Sequence, residues 1–465
     1  MASITAKSRS GEQLNMKYVL LISIIGAVGG LLFGFDTAVV SGAVGFLDER
    51  FNLSEFGEGW AVSSLIIGAV VGAISSGWLS DGLGRKKVLI SAAVLFIIGS
   101  VATALPSTFS GYIIARMVSG IGIGITSTLC PIYNAEIAPA RYRGRLVALN
   151  QFAIVTGIFF TYFVNSGIAG AGSDAWDIST GWRWMFGVGA VPGIIFMALL
   201  FLVPESPRWL IKNGKPEKAL SILLRIHGEE AAKQEVLDIK ASFREERGSI
   251  RDLFKPGLRF AMFVGIGLAI FQQVTGINAI LYYAPEILKQ TGAGTNAALI
   301  QTILVGAVNM VFTVVSIWLI DKVGRKALLL TGVSIMAVCL GVIGLLFNTG
   351  HSSGYTVLVL ILIYTAAFAI SLGPVVWVML SEIFPNRVRG LATSIASMFL
   401  WAADYAVSQS FPPLLDWAGP AATYWTFGIL SVIAVLFTVF FVPETKGRSL
   451  EQMESLWNQG KAQSR

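Results

Sequence analysis

SDGLGRKK at residues 80–87 returns, shortened, as DKVGRK at 321–326, about 240 residues further along the chain. Two more segments repeat in the same order at a similar distance. EIAPARYRG (136–144) returns as EIFPNRVRG (382–390), and PESPRWL (204–210) returns, reduced, as PETKG (443–447). Each copy follows a long apolar stretch. Membrane chains built of two matching halves bind their ligand near the bilayer midplane, between the halves. Charges inside the repeats keep fixed spacings. Glu136 and Arg143 are seven residues apart, as are Glu382 and Arg389, while Asp81 with Arg85 and Asp321 with Arg325 have the i,i+4 spacing of a helical pair. Beyond local loop closure, these charges, together with Glu205, Arg208 and Glu444, suggest an ion-pair lattice that clamps the two halves on the cytoplasmic side of the membrane when the carrier faces outward.

Outside the motifs the chain is greasy. Hydrophobic residues make up 54% and charged ones 13%, with mean hydropathy +0.71; soluble domains carry roughly 25% charged residues. A hydrocarbon core needs about 20 apolar residues as helix. The sequence predicts twelve such spans, near 18–42, 58–80, 88–106, 112–135, 145–168 and 182–203, then 258–288, 297–320, 327–348, 355–380, 391–413 and 421–442. The expected fold is an all-α membrane protein with twelve transmembrane helices in two six-helix halves. Its parts are an N-tail (1–17), a first bundle (18–203), a polar linker (204–257) with amphipathic helices at 216–226 and 229–246, a second bundle (258–442) and a C-tail (443–465). The first span resembles a signal peptide at its start, but it is too long for one and carries Asp36, so it reads as retained.

Basic residues set the orientation. Of the 34 Lys and Arg, 30 fall in the two tails, the linker or the loops on the linker side. Arg50, Arg183 and Lys289 fall opposite, and Arg116 lies within a span. Both termini and the linker are therefore expected in the cytoplasm, with the chain in the cell membrane, and the net charge of +7 reads as topology rather than a nucleic-acid footprint. Cys130 and Cys339 sit in apolar runs and His227 and His351 lie far apart, so neither a disulfide framework, a metal site nor a cofactor is expected. No Walker sequence offers ATP drive. Gly120, Gly122 and Gly124 imitate a dinucleotide loop, but no strand precedes them, and Gly120 with Gly124 reads as close helix packing. No nucleophile–base set suggests an enzyme.

One span is unusually polar. FQQVTGINAILYYAPE (271–286) offers Gln272, Gln273, Thr275, Asn278, Tyr282 and Tyr283, the donors and acceptors a neutral polyol needs. On an unbroken helix Gln273 and Asn278 would stand about 140° apart, and Gly276 between them is the expected unwinding point. Asp36 and Arg116 are opposite charges deep in the first half, expected to pair because a lone buried charge is costly.

With GFDTAVVSG (34–42), GPVVW (373–377) and the loop motifs added, the chain resembles the sugar porter branch of the major facilitator superfamily over essentially its whole length, and looks most like bacterial pentose and hexose proton symporters. The resemblance implies that Gln151, Gln272, Gln273, Asn278 and Asn309 hydrogen-bond a monosaccharide, that Trp377 packs on its ring and Phe33 lines the cavity, and that Tyr282 and Tyr283 form an external gate. It implies that Asp36 carries the proton with Arg116 as partner, and that the carrier is a monomer. Three positions depart from the xylose-symporter pattern. Leu400 stands where relatives that bind glucose or xylose have Asn or Gln, and Ile158 where the xylose symporter has Gln and the facilitative glucose carriers have Ile; both border the sugar, so arabinose, xylose, galactose and glucose stay open. Gly189 stands where it has a second coupling carboxylate. Asp404, where relatives commonly have Asn, is either a second titrating group or, the favoured reading, a solvated cavity carboxylate. The rival functions are a facilitative uniporter, which Asp36 argues against, and a transporter-like sensor.

Overall fold

The computed structural model describes residues 14–139, 142–242, 249–255, 257–352 and 355–447. Eleven helices among them are long and apolar enough to cross a membrane: Met16–Phe51, Glu55–Leu83, Arg85–Ala104, Phe109–Ile137, Arg145–Ala169, Asp174–Leu202, Leu258–Lys289, Thr295–Val323, Arg325–Asn348, Tyr355–Glu382 and Arg387–Phe441. The last has 55 residues, a length of roughly 80 Å at about 1.5 Å per residue, far beyond one bilayer crossing. Gly419, at φ 77° and ψ 166°, turns the chain there ahead of Pro420. The result is twelve spans, numbered 1–12 in chain order, with span 11 at 387–418 and span 12 at 420–441.

The spans lie where hydropathy places them, but several are longer. Span 1 continues nine residues past the expected end at 42, to Phe51, where Asn52 closes it in the left-handed region. Span 6 starts at Asp174 and winds through a π-helical turn at Asp177–Gly181 before the expected start at 182. Hydropathy sees the apolar part of a helix, whereas capping decides its end. Ser54 and Thr108 start spans 2 and 4 by accepting the N–H of Gly57 and Gly111. The linker helices run Pro216–Ile226 and Glu229–Ser242; residues 243–246 of the second expected helix lie outside the described residues.

Span 1 packs on span 5, and spans 2 and 3 on span 4; in the second half span 9 packs on the span 11–12 hairpin and span 8 on span 10. Added side chains at Gly120 and Gly124 would strike the backbone of Leu65 and Ala69 on span 2, so these glycines do serve helix packing. The linker docks under the first half, where the Trp209 indole N–H donates to the Asp81 carbonyl at 3.0 Å and Lys212 pairs with the Asp81 carboxylate at 2.7 Å.

The repeated motifs make the same joint twice. Gly84 (φ 97°) and Gly324 (φ 104°) turn span 2 into span 3 and span 8 into span 9, leaving spans 3 and 9 without a local side-chain cap. A distant glutamate supplies the cap. Glu205 accepts from the N–H groups of Arg85 and Lys86 at 3.0 and 3.3 Å, and Glu444 from those of Arg325 and Lys326 at 3.0 and 3.1 Å. Negative charge is favoured at a helix N-terminus, where unpaired N–H groups collect. Lys86 and Lys326 donate in turn to carbonyls at the ends of spans 6 and 12.

Candidate functional site

Prolines leave carbonyls without a helical donor, and the groups that answer them shape the cleft between the halves. Pro285, lacking an N–H, deprives the Leu281 carbonyl, and the Tyr162 hydroxyl of span 5 donates to it at 2.9 Å. Pro412 deprives Ser408, whose carbonyl accepts from the Tyr283 hydroxyl at 3.1 Å. Pro374 deprives Ile370, and Ser316 of span 8 donates there at 2.9 Å. In lipid such carbonyls must find protein partners. This rule identifies Tyr162 and Ser316, which reading the polar residues of span 7 alone had missed.

Span 7 breaks at Gly276, in the left-handed region at φ 95° and ψ 13°, between helices Leu258–Val274 and Ile277–Lys289. The Tyr364 hydroxyl of span 10 ties down the Thr275 carbonyl there at 2.9 Å. The break brings Gln273 and Asn278 together: Asn278 Nδ2 donates to Gln273 Oε1 at 2.9 Å and to Asp404 Oδ1 at 2.8 Å. Asp404 is not the solvated carboxylate the sequence favoured. It is 1% exposed and also accepts from Ser408 Oγ at 3.2 Å. Gln272 is turned away from its neighbour, with Nε2 donating to the carbonyls of Leu372 and Gly373 at 2.8 and 3.0 Å.

Around this cluster Asn309 is buried and Gln151 half-buried. The half-buried Phe33 meets Trp401 edge-on across the cleft at 5.8 Å, while Trp377 leaves 40% of its surface open. Tyr282 and Tyr283 are both buried, and Tyr283 also packs on Phe411 at 5.0 Å. Leu400 and Ile158 are buried apolar groups, the latter against Ala38 and Tyr162. At Gly189 the ring of Phe35 fills the space any side chain would need.

Asp36 and Arg116 do meet. Arg116 Nη1 donates to Asp36 Oδ1 at 2.7 Å and Nη2 to the Asp36 carbonyl at 3.5 Å, with the guanidinium over the Phe186 ring. Both residues are at most 3% exposed, and the Ser119 hydroxyl is a further hydrogen-bonding neighbour of the Asp36 carboxylate.

The charges of the repeated motifs pair locally in this state. Arg85 grips Glu136 with Nε and Nη2, each at 3.0 Å, and Asp81 at 3.2 Å; Arg325 likewise grips Glu382 at 3.1 and 2.7 Å, and Asp321 at 3.0 Å. All these pairs lie within one half, and among the described residues no ion pair links the halves. Glu382 is already taken by Arg325 and Thr445, so Arg389 turns to the Phe384 carbonyl at 3.3 Å instead. Arg208 is exposed, and the side chain of Arg143 lies outside the described residues. The two glutamate caps differ electrostatically. Burial pushes the Glu205 carboxyl above the ordinary range despite its backbone donors. At Glu444 burial works the same way, but the donors prevail and hold it below that range.

The halves touch instead at the end of the bundle away from the motifs. There Tyr162 reaches Leu281, Ser63 Oγ donates to Gln409 Oε1 at 2.7 Å, and Gln409 Nε2 donates to the Phe56 carbonyl at 3.0 Å.

Two similar six-span halves around a polar cleft, sealed at one end, define a membrane carrier rather than an enzyme. The comparisons carry this further. The family described as "Sugar (and other) transporter" matches residues 22–457, and the chain belongs to it, within the major facilitator superfamily. A relative from Bacillus subtilis (strain 168), the "Arabinose-proton symporter", is 49% identical over 444 residues, covering 95% of this chain and 96% of the relative. Among solved structures, the inward open conformation of the xylose transporter XylE from E. coli covers 95% of this chain and 100% of its own at 41% identity, with TM-score 0.85. The proton:xylose symporter XylE bound to 6-bromo-6-deoxy-D-glucose, with the same coverage and 43% identity, gives 0.79.

Proposed function

We propose that this chain is a proton-coupled symporter that takes up a monosaccharide, a pentose or hexose, by alternating access. It sits in the cell membrane with both termini in the cytoplasm and works as a monomer, without ATP or nucleic acid. The amides of Gln151, Gln272, Gln273, Asn278 and Asn309 bind the sugar hydroxyls, with Trp377 and Phe33 beside the ring and Tyr282 and Tyr283 at the outer gate. An inward-facing state is the reading these contacts support: those between the halves collect at the end away from the basic motifs, and the fit to the inward open relative is closer than to the sugar-bound one. The motif pairs then brace each half as a rigid body, and the cleft opens between them.

The observation that carries the coupling is the Asp36–Arg116 pair, fully buried within the first half. A carboxylate in hydrocarbon needs its cation or a proton. Movement of span 1 against span 4 that loosens the pair favours protonation, and tightening it favours release. One proton entering down 100 mV supplies roughly 2.3 kcal/mol, enough for about 50-fold accumulation of a neutral sugar. Asp36→Asn should retain sugar exchange across the membrane of proteoliposomes and lose uphill uptake in energised ones. Undiminished accumulation by the variant would refute the coupling role.

A further inference from the structure

Asp404 is a buried carboxylate with no cationic partner among the described residues, yet it touches the centre of the cleft. A carboxylate only accepts hydrogen bonds, whereas an amide can face a ligand with either its oxygen or its nitrogen. Asp404 Oδ1 takes one proton of Asn278 Nδ2 at 2.8 Å, and Gln273 Oε1 takes the other at 2.9 Å. Ser408 and the Tyr282 hydroxyl complete the donors to Asp404. With both amide protons committed, Asn278, a half-buried side chain, has only Oδ1 left to offer a ligand. Gln273, its oxygen occupied, has only the Nε2 donor left. Gln272 has committed both protons to the carbonyls of Leu372 and Gly373, leaving Oε1.

We propose that Asp404 is a positioning residue that fixes the hydrogen-bond polarity of the sugar site. Held by it, the three amides of span 7 present two oxygens and one N–H, and they select polyols whose hydroxyls donate at two places and accept at one. The inference rests on the sugar-carrier reading above. It adds that recognition by Asn278 depends on a neighbour that never touches the sugar.

Asp404→Asn is nearly isosteric, but its own amide can turn its nitrogen toward Asn278, which frees Asn278 to flip. The test is competitive counterflow in proteoliposomes with D-xylose, arabinose and their monodeoxyfluoro analogues. Fluorine cannot donate, so an analogue fluorinated at the hydroxyl facing Asn278 should bind the wild-type carrier at least about tenfold more weakly than its parent sugar, the scale of one lost hydrogen bond to a buried acceptor. In Asp404→Asn the KM for the parent sugar should rise about tenfold with the maximal rate within about twofold, while the penalty for that analogue shrinks severalfold. Asp404→Glu, which keeps the acceptor, should restore the wild-type ranking of the analogues. An unchanged KM, or a raised KM with every analogue penalty unaltered, would overturn the proposal, the second result showing a merely structural group. Wild-type protein that carries neither sugar would overturn the sugar reading itself, and this inference with it.

Discussion

Removing one hydroxyl should tip the balance between the two faces of the carrier. The Tyr162 hydroxyl is the donor that replaces the N–H missing at Pro285, and it reaches the Leu281 carbonyl at 2.9 Å across the seam between the halves. Tyr162 is 2% exposed, so in Tyr162→Phe that carbonyl stays buried without a partner. The cost of such an orphaned group is about 1–3 kcal/mol. It falls on the sealed state alone, because parting the halves at that end lets water reach the carbonyl in the wild type and the variant alike. The ratio of open to sealed carriers should therefore rise by ~5- to 150-fold. Only differential stabilisation of the two states shifts their populations, so a bond equally present in both would produce no change. The assay is a pulsed spin-label distance measurement between exposed positions flanking the sealed end, one on each half. The native Cys130 and Cys339 are both buried, which favours clean labelling of introduced cysteines. The variant should show the long-distance population growing at the expense of the short one. An unaltered distribution, or a shift toward the sealed state, would refute the reasoning.

Two further outcomes follow from the same structure. Gly276 adopts φ 95°, and an added Cβ would come within 2.9 Å of the Phe427 ring, so Gly276→Ala should lower the unfolding midpoint in detergent and abolish high-affinity sugar binding. Gly77→Ala, in a helix with open space around it, should leave both unchanged; equal behaviour of the two variants would remove the argument that the break in span 7 builds the site. The paired caps should part company with pH. Because the Glu444 carboxyl is held below the ordinary range, its charge stabilises the fold at neutral pH, and that contribution fades only as acidification reaches its depressed pKa. The Glu205 carboxyl lies above the ordinary range, so folding holds its proton more tightly than the unfolded chain does, and the contribution from that shift is present in acid and lost as pH rises through its pKa. Glu444→Gln should thus lower the melting midpoint near pH 7, and Glu205→Gln should lower it distinctly less, read across pH 4–8. The reverse order would contradict it.

The sequence alone determined the number of spans, the division into two like halves and the polar character of span 7, because each rests on composition read along the chain. Twenty apolar residues announce a crossing wherever they occur, and a repeated motif such as GRK marks the same joint in both halves. It also marked Gly276 as the break and Asp36 with Arg116 as partners, since a left-handed turn needs glycine and buried opposite charges seek each other. Only the tertiary structure decided who answers whom. That Glu205 and Glu444 cap helices about 120 residues away, that Arg389 loses Glu382 to Arg325, and that Asp404 is buried against Asn278 all depend on which helix faces which. Hydrogen bonds are short and directional, so their partners are fixed by the packing of helices distant in sequence, a relation that no pattern along a single helix contains.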